Sequence, residues 1–272
     1  MKKTKFYKYH GTGNDFILVD NRQMQLPRQN ALLYSTWCNR RFGIGADGLI
    51  LLQNHTEGDF EMVYYNADGN EGSMCGNGGR CAVAFAQRLG IIKNQTTFMA
   101  ADGVHHALID QQRISLQMKN VDHIEQFGND FVLDTGSPHY VSIINDIKAV
   151  NIVEQGKKIR YSPDFCEKGI NVNFIAPHHQ LADVLTLATY ERGVEDETWS
   201  CGTGTVASAI AWAYKRQQLS DEHQYAIDLH TKGGMLGVSF RVRSIPTPQQ
   251  WQFYDVWLHG PAVEVFEGHI LL

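Results

Sequence analysis

The sequence predicts an α/β protein of two similar units, each a sheet wrapped around one buried helix, and three observations lead there. Short β-rich runs dominate the chain, two helical segments lack any polar face, and a Cys-Gly-x-Gly turn occurs twice in like surroundings. Taken in order, residues 5–10, 16–20, 48–53, 60–65, 112–118, 131–133, 172–175 and 184–190 carry the apolar, β-branched and aromatic patterns of strands. An amphipathic helix is expected over residues 28–40. The segments 78–89 (GGRCAVAFAQRL) and 205–214 (TVASAIAWAY) are apolar on every side, and a helix without a polar face has to be surrounded. Their wealth of Ala, Gly and Ser lets strands approach the helix axis closely. The final strands, around 256–266 and 270–272, lie far from any helix signal, and either unit could own them.

The two buried helices extend a longer likeness. MCGNGGRCAVAFA and SCGTGTVASAIA match Cys for Cys at a separation of 126 residues, close to half the chain of 272. Upstream, the alignment pairs Tyr64 with Tyr190, Asn66 with Arg192 and Glu71 with Glu197. Two Gly/Ala helices alike by chance are the competing explanation. The shared Cys-Gly-x-Gly signature favours an internal duplication, and the length suits two domains.

Composition excludes several classes of partner. With 43% hydrophobic and 19% charged residues the chain is an ordinary globular protein without low-complexity tracts. A net charge of −5 and no basic stripe with interleaved aromatics argue against nucleic acid. The basic start MKKTKF is followed by no apolar signal region, and no stretch of about 18 apolar residues occurs, so no membrane span and a cytoplasmic location are expected. Five cysteines, Cys38, Cys75, Cys81, Cys166 and Cys201, lack CxxC spacing and read as reduced thiols.

The chemistry lies in the two turns. Glycines next to each cysteine let a ligand lie directly against main-chain N–H groups. The first turn of a helix carries unpaired N–H donors and the positive end of the macrodipole, which suits a carboxylate and lowers the pKa of a thiol seated there. Two such sites suit removal of a proton from an amino-acid α-carbon on one face and its return on the other, because a thiol near its own pKa serves as either acid or base. The same N–H groups would stabilise the carbanion, so neither a metal nor pyridoxal is needed. GTGNDF at residues 11–16 lacks the third glycine of a dinucleotide turn, and FGIGADG at 42–48 leads into a strand. Cys38, Cys81 and Cys166 read as small buried hydrophobes. A redox pair is the competing reading for Cys75 and Cys201.

These residues resemble the diaminopimelate epimerase family, pyridoxal-independent enzymes with two catalytic cysteines. The likeness spans nearly the whole chain and rests on HGTGNDF (10–16), FGIGADGL (42–49), YNADGNEGSMCGNGGRC (65–81), TGSPHYV (135–141), INVNF (170–174), YERGVEDETWSCGTG (190–204) and GPAVEVFEG (260–268). The resemblance implies two pseudo-symmetric domains, each a mostly antiparallel sheet curled around a central helix, with the active site in the cleft between them. It assigns residues 1–119 plus 263–272 to one domain and 120–262 to the other. It implies interconversion of LL- and meso-2,6-diaminopimelate for lysine and peptidoglycan synthesis, with no cofactor and with a homodimer as the assembly. Cys75 and Cys201 would carry the proton. N–H groups of Gly76, Asn77, Gly202 and Thr203 would hold the reacting carboxylate, Asn14 and Glu191 the nearby amine, and Asn66, Asn171 and Arg192 the far amino-acid head. Each has a plainer reading: Asn14 and Asn66 as turn residues, Glu191 and Arg192 as an exposed ion pair, and His139 as a structural histidine. Where the family often has Asn before Pro-His, this chain has Ser137, and some relatives place a side-chain amide near Gly48 that is missing here.

Two other functions compete. A related two-cysteine proline or hydroxyproline racemase would use the same logic, but a ring substrate offers no second charged head for Arg192. A non-catalytic amino-acid-binding or thiol-redox module would not exchange the α-proton with solvent.

Overall fold

A computed structural model describes residues 3–178, 180–181, 183–216, 219–245 and 250–271. The chain forms two units, one of Met1–Leu116 with Gly260–Leu272 and one of Gln117–His259. In chain order the elements are β1 (Lys3–Gly11), β2 (Asn14–Asp20), α1 (Ala31–Cys38), β3 (Gly48–Gln53), β4 (Phe60–Asn66), α2 (Gly76–Arg88), β5 (Gln95–Ala100), β6 (Gly103–Asp110) and β7 (Arg113–Gln117). There follow β8 (Ile124–Phe127), β9 (Asp130–Asp134), β10 (Pro138–Ile143), α3 (Ile152–Arg160), β11 (Asn171–Pro177), β12 (Val184–Glu191), β13 (Asp196–Thr198) and α4 (Gly202–Lys215). The chain ends with β14 (Gln224–Thr231), β15 (Gly234–Ile245), β16 (Gln250–Pro261) and β17 (Val263–Leu271).

In the first unit the strands pair in the order β17-β1-β2-β3-β4-β5-β6-β7, antiparallel except for the parallel pairs β2–β3 and β4–β5. In the second the order is β8-β9-β10-β11-β12-β14-β15-β16, antiparallel except for β10–β11 and β12–β14. The succession of pairings is the same in both. Parallel neighbours need a crossover, and helices supply it: α1 and α2 in the first unit, α3 and α4 in the second.

Burial explains the strands at the centre. All six residues of β3 are buried, as are the first six of β11, because both faces of these strands are covered. On one face of β3, Leu49 and Leu51 pack with Tyr34, Trp37 and Cys38 of α1. The other face, with α2 against it, brings Ile50 and Met62 close to Gly78. In the second unit Val172 and Phe174 join Ile152 of α3, while Val141, Ile175, Leu185 and Leu187 pack on Val206, Ala207 and Ile210 of α4. Ten residues of each of α2 and α4 are buried.

Several expectations need correction. The helix expected over 28–40 spans only Ala31–Cys38, because the Asn30 side chain accepts the Leu33 N–H and fixes the start there. Arg28 instead pairs with Glu61 and Glu71. Helix α3 and strands β5, β6, β8, β10, β13, β14 and β15 lie outside the elements the sequence predicts. Cys166 is exposed, not buried. The pairs His105-His106 and His178-His179 read in the sequence as surface positions without a partner, but His105 pairs with Asp102 and stacks on Phe98, and His106 meets Thr97. His179 lies outside the described residues.

Candidate active site

Each cysteine of interest occupies the residue before a buried helix. Cys75 has extended backbone angles (φ −107°, ψ 124°) and leads into α2, and Cys201 (φ −122°, ψ 114°) leads into α4. Neither sulfur caps its own helix. The first intrahelical bonds run from Gly79 N–H to Cys75 O at 2.7 Å and from Thr205 N–H to Cys201 O at 2.9 Å. The amides before them, including those of Gly76, Asn77, Gly202 and Thr203, therefore point out of the helix start toward any anion placed there.

In the first unit Cys75 is half-buried and its Sγ lies 3.8 Å from Asn14 Oδ1. The Asn14 amide is held in one orientation, since its Nδ2 donates to Asp47 at 2.8 Å. Its Oδ1 also accepts from Asn77 Nδ2 at 3.2 Å. Behind it stand Asp15 and Asp47 with Lys8 and Arg40: Lys8 Nζ is 2.7 Å from Asp15, and Arg40 Nη2 is 2.6 Å and 2.7 Å from Asp15 and Asp47. Burial would raise the Asp15 carboxyl, but Arg40 and Lys8 outweigh it and hold it well below the usual carboxylate range. Asn66 ends β4, exposed, and its Oδ1 accepts from Tyr64 Oη at 3.0 Å.

In the second unit Cys201 is 8% exposed, and its Sγ lies 3.6 Å from Thr203 Oγ1. The direction of hydrogen bonding here can be worked out. Asn173 Oδ1 accepts from Thr189 Oγ1 at 2.9 Å, and its Nδ2 donates to the Tyr140 carbonyl at 3.0 Å, so its amide orientation is fixed. Nδ2 then also donates to His139 Nδ1 at 3.1 Å. Burial, aided by Arg192, pulls the His139 imidazole down to about 3, so the ring is neutral and its single proton sits on Nε2. That N–H donates to Thr203 Oγ1 at 2.9 Å, which leaves the hydroxyl its own proton and a second lone pair to meet the Cys201 sulfur. Cys75 thus faces an amide oxygen and Cys201 a hydroxyl. Gly204 makes room for this arrangement: a Cβ there would stand 2.4 Å from Asn173 Oδ1.

A second polar group forms beside it. Asn171 Nδ2 donates to Ser137 Oγ at 2.9 Å, Asn171 Oδ1 accepts the Arg192 backbone N–H at 2.9 Å, and Arg192 Nη2 approaches Ser137 Oγ at 3.4 Å. Glu191 ends β12 opposite Asp196. The structure therefore gathers Asn14, Cys75 and Asn77 in one unit, and Cys201 with Thr203, then Asn171 with Arg192, in the other.

Lys8, Asp15, Arg40, Asp47, Asn173 and Thr189 were not singled out in the sequence, and neither was Arg80, whose guanidinium donates to Asn77 Oδ1 at 2.8 Å. Among the described residues no group of three or more His, Cys, Asp or Glu could hold a metal ion, and no helix is long and apolar enough to cross a membrane.

Comparison with known proteins decides the family. The family model for diaminopimelate epimerase matches residues 6–124 and 131–244. The chain belongs to the diaminopimelate epimerase family. The diaminopimelate epimerase of Flavobacterium psychrophilum is 50% identical over 98% of this chain and 100% of its own length. That of Aquifex aeolicus is 34% identical over 98% and 97%. Among solved structures, a PhzF-family phenazine biosynthesis protein of Bacillus anthracis aligns with a TM-score of 0.75 at 12% identity, covering both chains in full. A hydroxyproline epimerase of Agrobacterium vitis aligns with a TM-score of 0.66 at 13% identity, over 100% of this chain and 93% of its own. The family and these neighbours make the chain an isomerase of the epimerase fold, with two pseudo-symmetric domains.

Proposed function

We propose that this diaminopimelate epimerase family member interconverts LL- and meso-2,6-diaminopimelate, with Cys75 and Cys201 as the two proton carriers. The observation that carries the reading is the pair of cysteines, each at the start of a buried helix and each with a polar side chain against its sulfur, an amide oxygen at Cys75 and a hydroxyl at Cys201. In this reading the reacting carboxylate binds the N–H groups of Gly76, Asn77, Gly202 and Thr203, where developing negative charge meets preorganised donors. Asn14 and Glu191 take the adjacent amine. A thiolate removes the α-proton from one face while the other thiol delivers a proton to the opposite face, and the roles swap for the reverse reaction.

Asn66, Asn171 and Arg192 then serve the far amino-acid head. The bonds of Asn171 and Arg192 to Ser137 support this, because the shorter serine still ties both side chains together. A charged second head favours diaminopimelate over the cyclic substrate of a proline-type racemase. Homodimerisation and a cytoplasmic location belong to the same proposal, and light scattering on purified protein checks the former.

The test is solvent exchange. In D2O the protein is expected to place deuterium at the α-carbon of LL-diaminopimelate and not of proline. Cys75→Ala and Cys201→Ala are each expected to abolish epimerisation with far-UV circular dichroism unchanged. Epimerisation retained in either variant defeats the two-base scheme.

A further inference from the structure

Among the described residues Arg80 is the largest fully buried side chain, with 0% of its surface exposed. A guanidinium in that position normally has a carboxylate against it, because removing an unpaired charge from water costs several kcal/mol. Here no carboxylate lies within ion-pair distance among the described residues. Its contacts are neutral oxygens: Asn77 Oδ1 at 2.8 Å, Gly76 O and Thr12 Oγ1 each at 3.3 Å, and Pro261 O at 3.4 Å. The duplicated alignment places Val206, an apolar residue, at the matching position of the second unit, so the charge is peculiar to the half that carries Cys75.

The charged groups on elements packed against this end of α2 leave Arg80 uncompensated. Lys8 and Arg40 are matched by Asp15 and Asp47. Glu264 is taken by Arg88 and by the Tyr9 hydroxyl. The Cys81 thiol, on α2 itself, is pushed far up by burial and stays neutral. His10 accepts the Gly13 N–H, and Tyr64 is bonded to Asn66. Besides Cys81, the acid that acts on the guanidinium among the described residues is Cys75.

We propose that Arg80 is a positioning residue for Cys75: a sealed-in positive charge that supplies the counter-charge when that sulfur is a thiolate, and that orients Asn77 beside Asn14. The orienting part follows from hydrogen-bond chemistry. A guanidinium only donates, so it fixes Oδ1 of Asn77 toward itself and turns Asn77 Nδ2 toward Asn14 Oδ1, the atom that faces the sulfur. The second unit reaches its sulfur by a neutral route, through Asn173, His139 and Thr203. The proposal rests on the reading of Cys75 as a proton carrier, yet its test reads the sulfur directly and does not depend on turnover.

The experiment is the pH dependence of iodoacetamide alkylation at Cys75 and Cys201, resolved by peptide mass mapping, in the wild type, Arg80→Met and Arg80→Lys. Arg80→Met is expected to slow alkylation of Cys75 at neutral pH about tenfold, the equivalent of roughly one pH unit in its midpoint, with the Cys201 profile unmoved. Arg80→Lys, which keeps the charge, is expected to stay close to the wild type. A Cys75 profile unchanged in Arg80→Met, or both cysteines shifting together, overturns the proposal. Should Arg80→Met not fold, thermal unfolding of the wild type against Cys75→Ala between pH 6 and 9 decides. A thiolate favoured in the folded state stabilises the wild type increasingly as pH rises, so the gap between the two is expected to widen, and a constant gap overturns the proposal. Epimerisation lost in Cys75→Ala but an unmoved Cys75 profile in Arg80→Met would sink this inference while leaving the two-base reading intact.

Discussion

At the scale of single residues, the two cysteines differ in what faces them more than in where they sit. Both begin a buried helix, but Asn14 Oδ1 accepts at Cys75, whereas Cys201 meets the Thr203 hydroxyl, which also accepts from His139. Replacing Thr203 with Val removes the hydroxyl and leaves the buried His139 Nε2–H without an acceptor. Turnover and Cys201 alkylation at neutral pH are expected to fall about tenfold or more, with recovery in Thr203→Ser. Alkylation of Cys201 unaffected in Thr203→Val would show that the hydroxyl does not touch the working sulfur. The two cysteines were legible in the sequence because their context is duplicated. Arg80 and Asn173 were not, since nothing in a string of letters tells a paired buried charge from an unpaired one, or a turn asparagine from one whose amide sets a histidine's tautomer.

At the scale of elements, the β1–β2 hairpin carries Asn14 at its end, and the Lys8, Asp15, Arg40 and Asp47 cluster anchors it to the loop before β3. Asp15→Asn breaks the anchor at two cations and is expected to cost about 2 kcal/mol at pH 7. Because the native carboxyl is held below its unfolded value, its contribution is present above the unfolded pKa of about 4 and is lost as pH falls toward the folded one. The difference in melting temperature between the wild type and Asp15→Asn is therefore expected to shrink as the buffer is taken from pH 7 to pH 3. A difference that holds constant over that range would show that the carboxylate charge is not what stabilises the hairpin. Central strands and both buried helices could be read directly, since β3 is an almost continuous apolar run and β11 sets Val172, Phe174 and Ile175 around Asn173. Helix α3 hid because Gly156 interrupts it, and that glycine is there for space: a Cβ would stand 2.4 Å from the Tyr190 side chain. Strand β14 hid because exposed polar residues alternate with few apolar ones, and β6 because Val104 and Leu108 lie on its exposed side, so the identity of both comes from their neighbours in the sheet.

At the scale of the whole molecule, three of the five cysteines stand apart from the proposed chemistry. Cys38 and Cys81 are buried, and burial pushes the Cys38 thiol up to about 12, so both are poor nucleophiles. Cys166 is exposed. If Cys75 and Cys201 serve one carbon, mild oxidant is expected to join them, abolish turnover and spare the fold, with thiol restoring activity. Peptide mapping checks it: bridges confined to Cys38, Cys81 and Cys166 would count against a shared carbon.

The succession of strand pairings is common to both units, but only the second unit is one uninterrupted stretch of chain. The first holds β1 to β6 and is finished only by β17, which pairs along β1 from Lys3 against Leu271 to His10 against Val263. On the ribosome the half that starts first is therefore completed last. Its edge at β1 waits through synthesis of more than half the protein, and a chain stalled before β17 emerges carries a finished second unit beside an open first one.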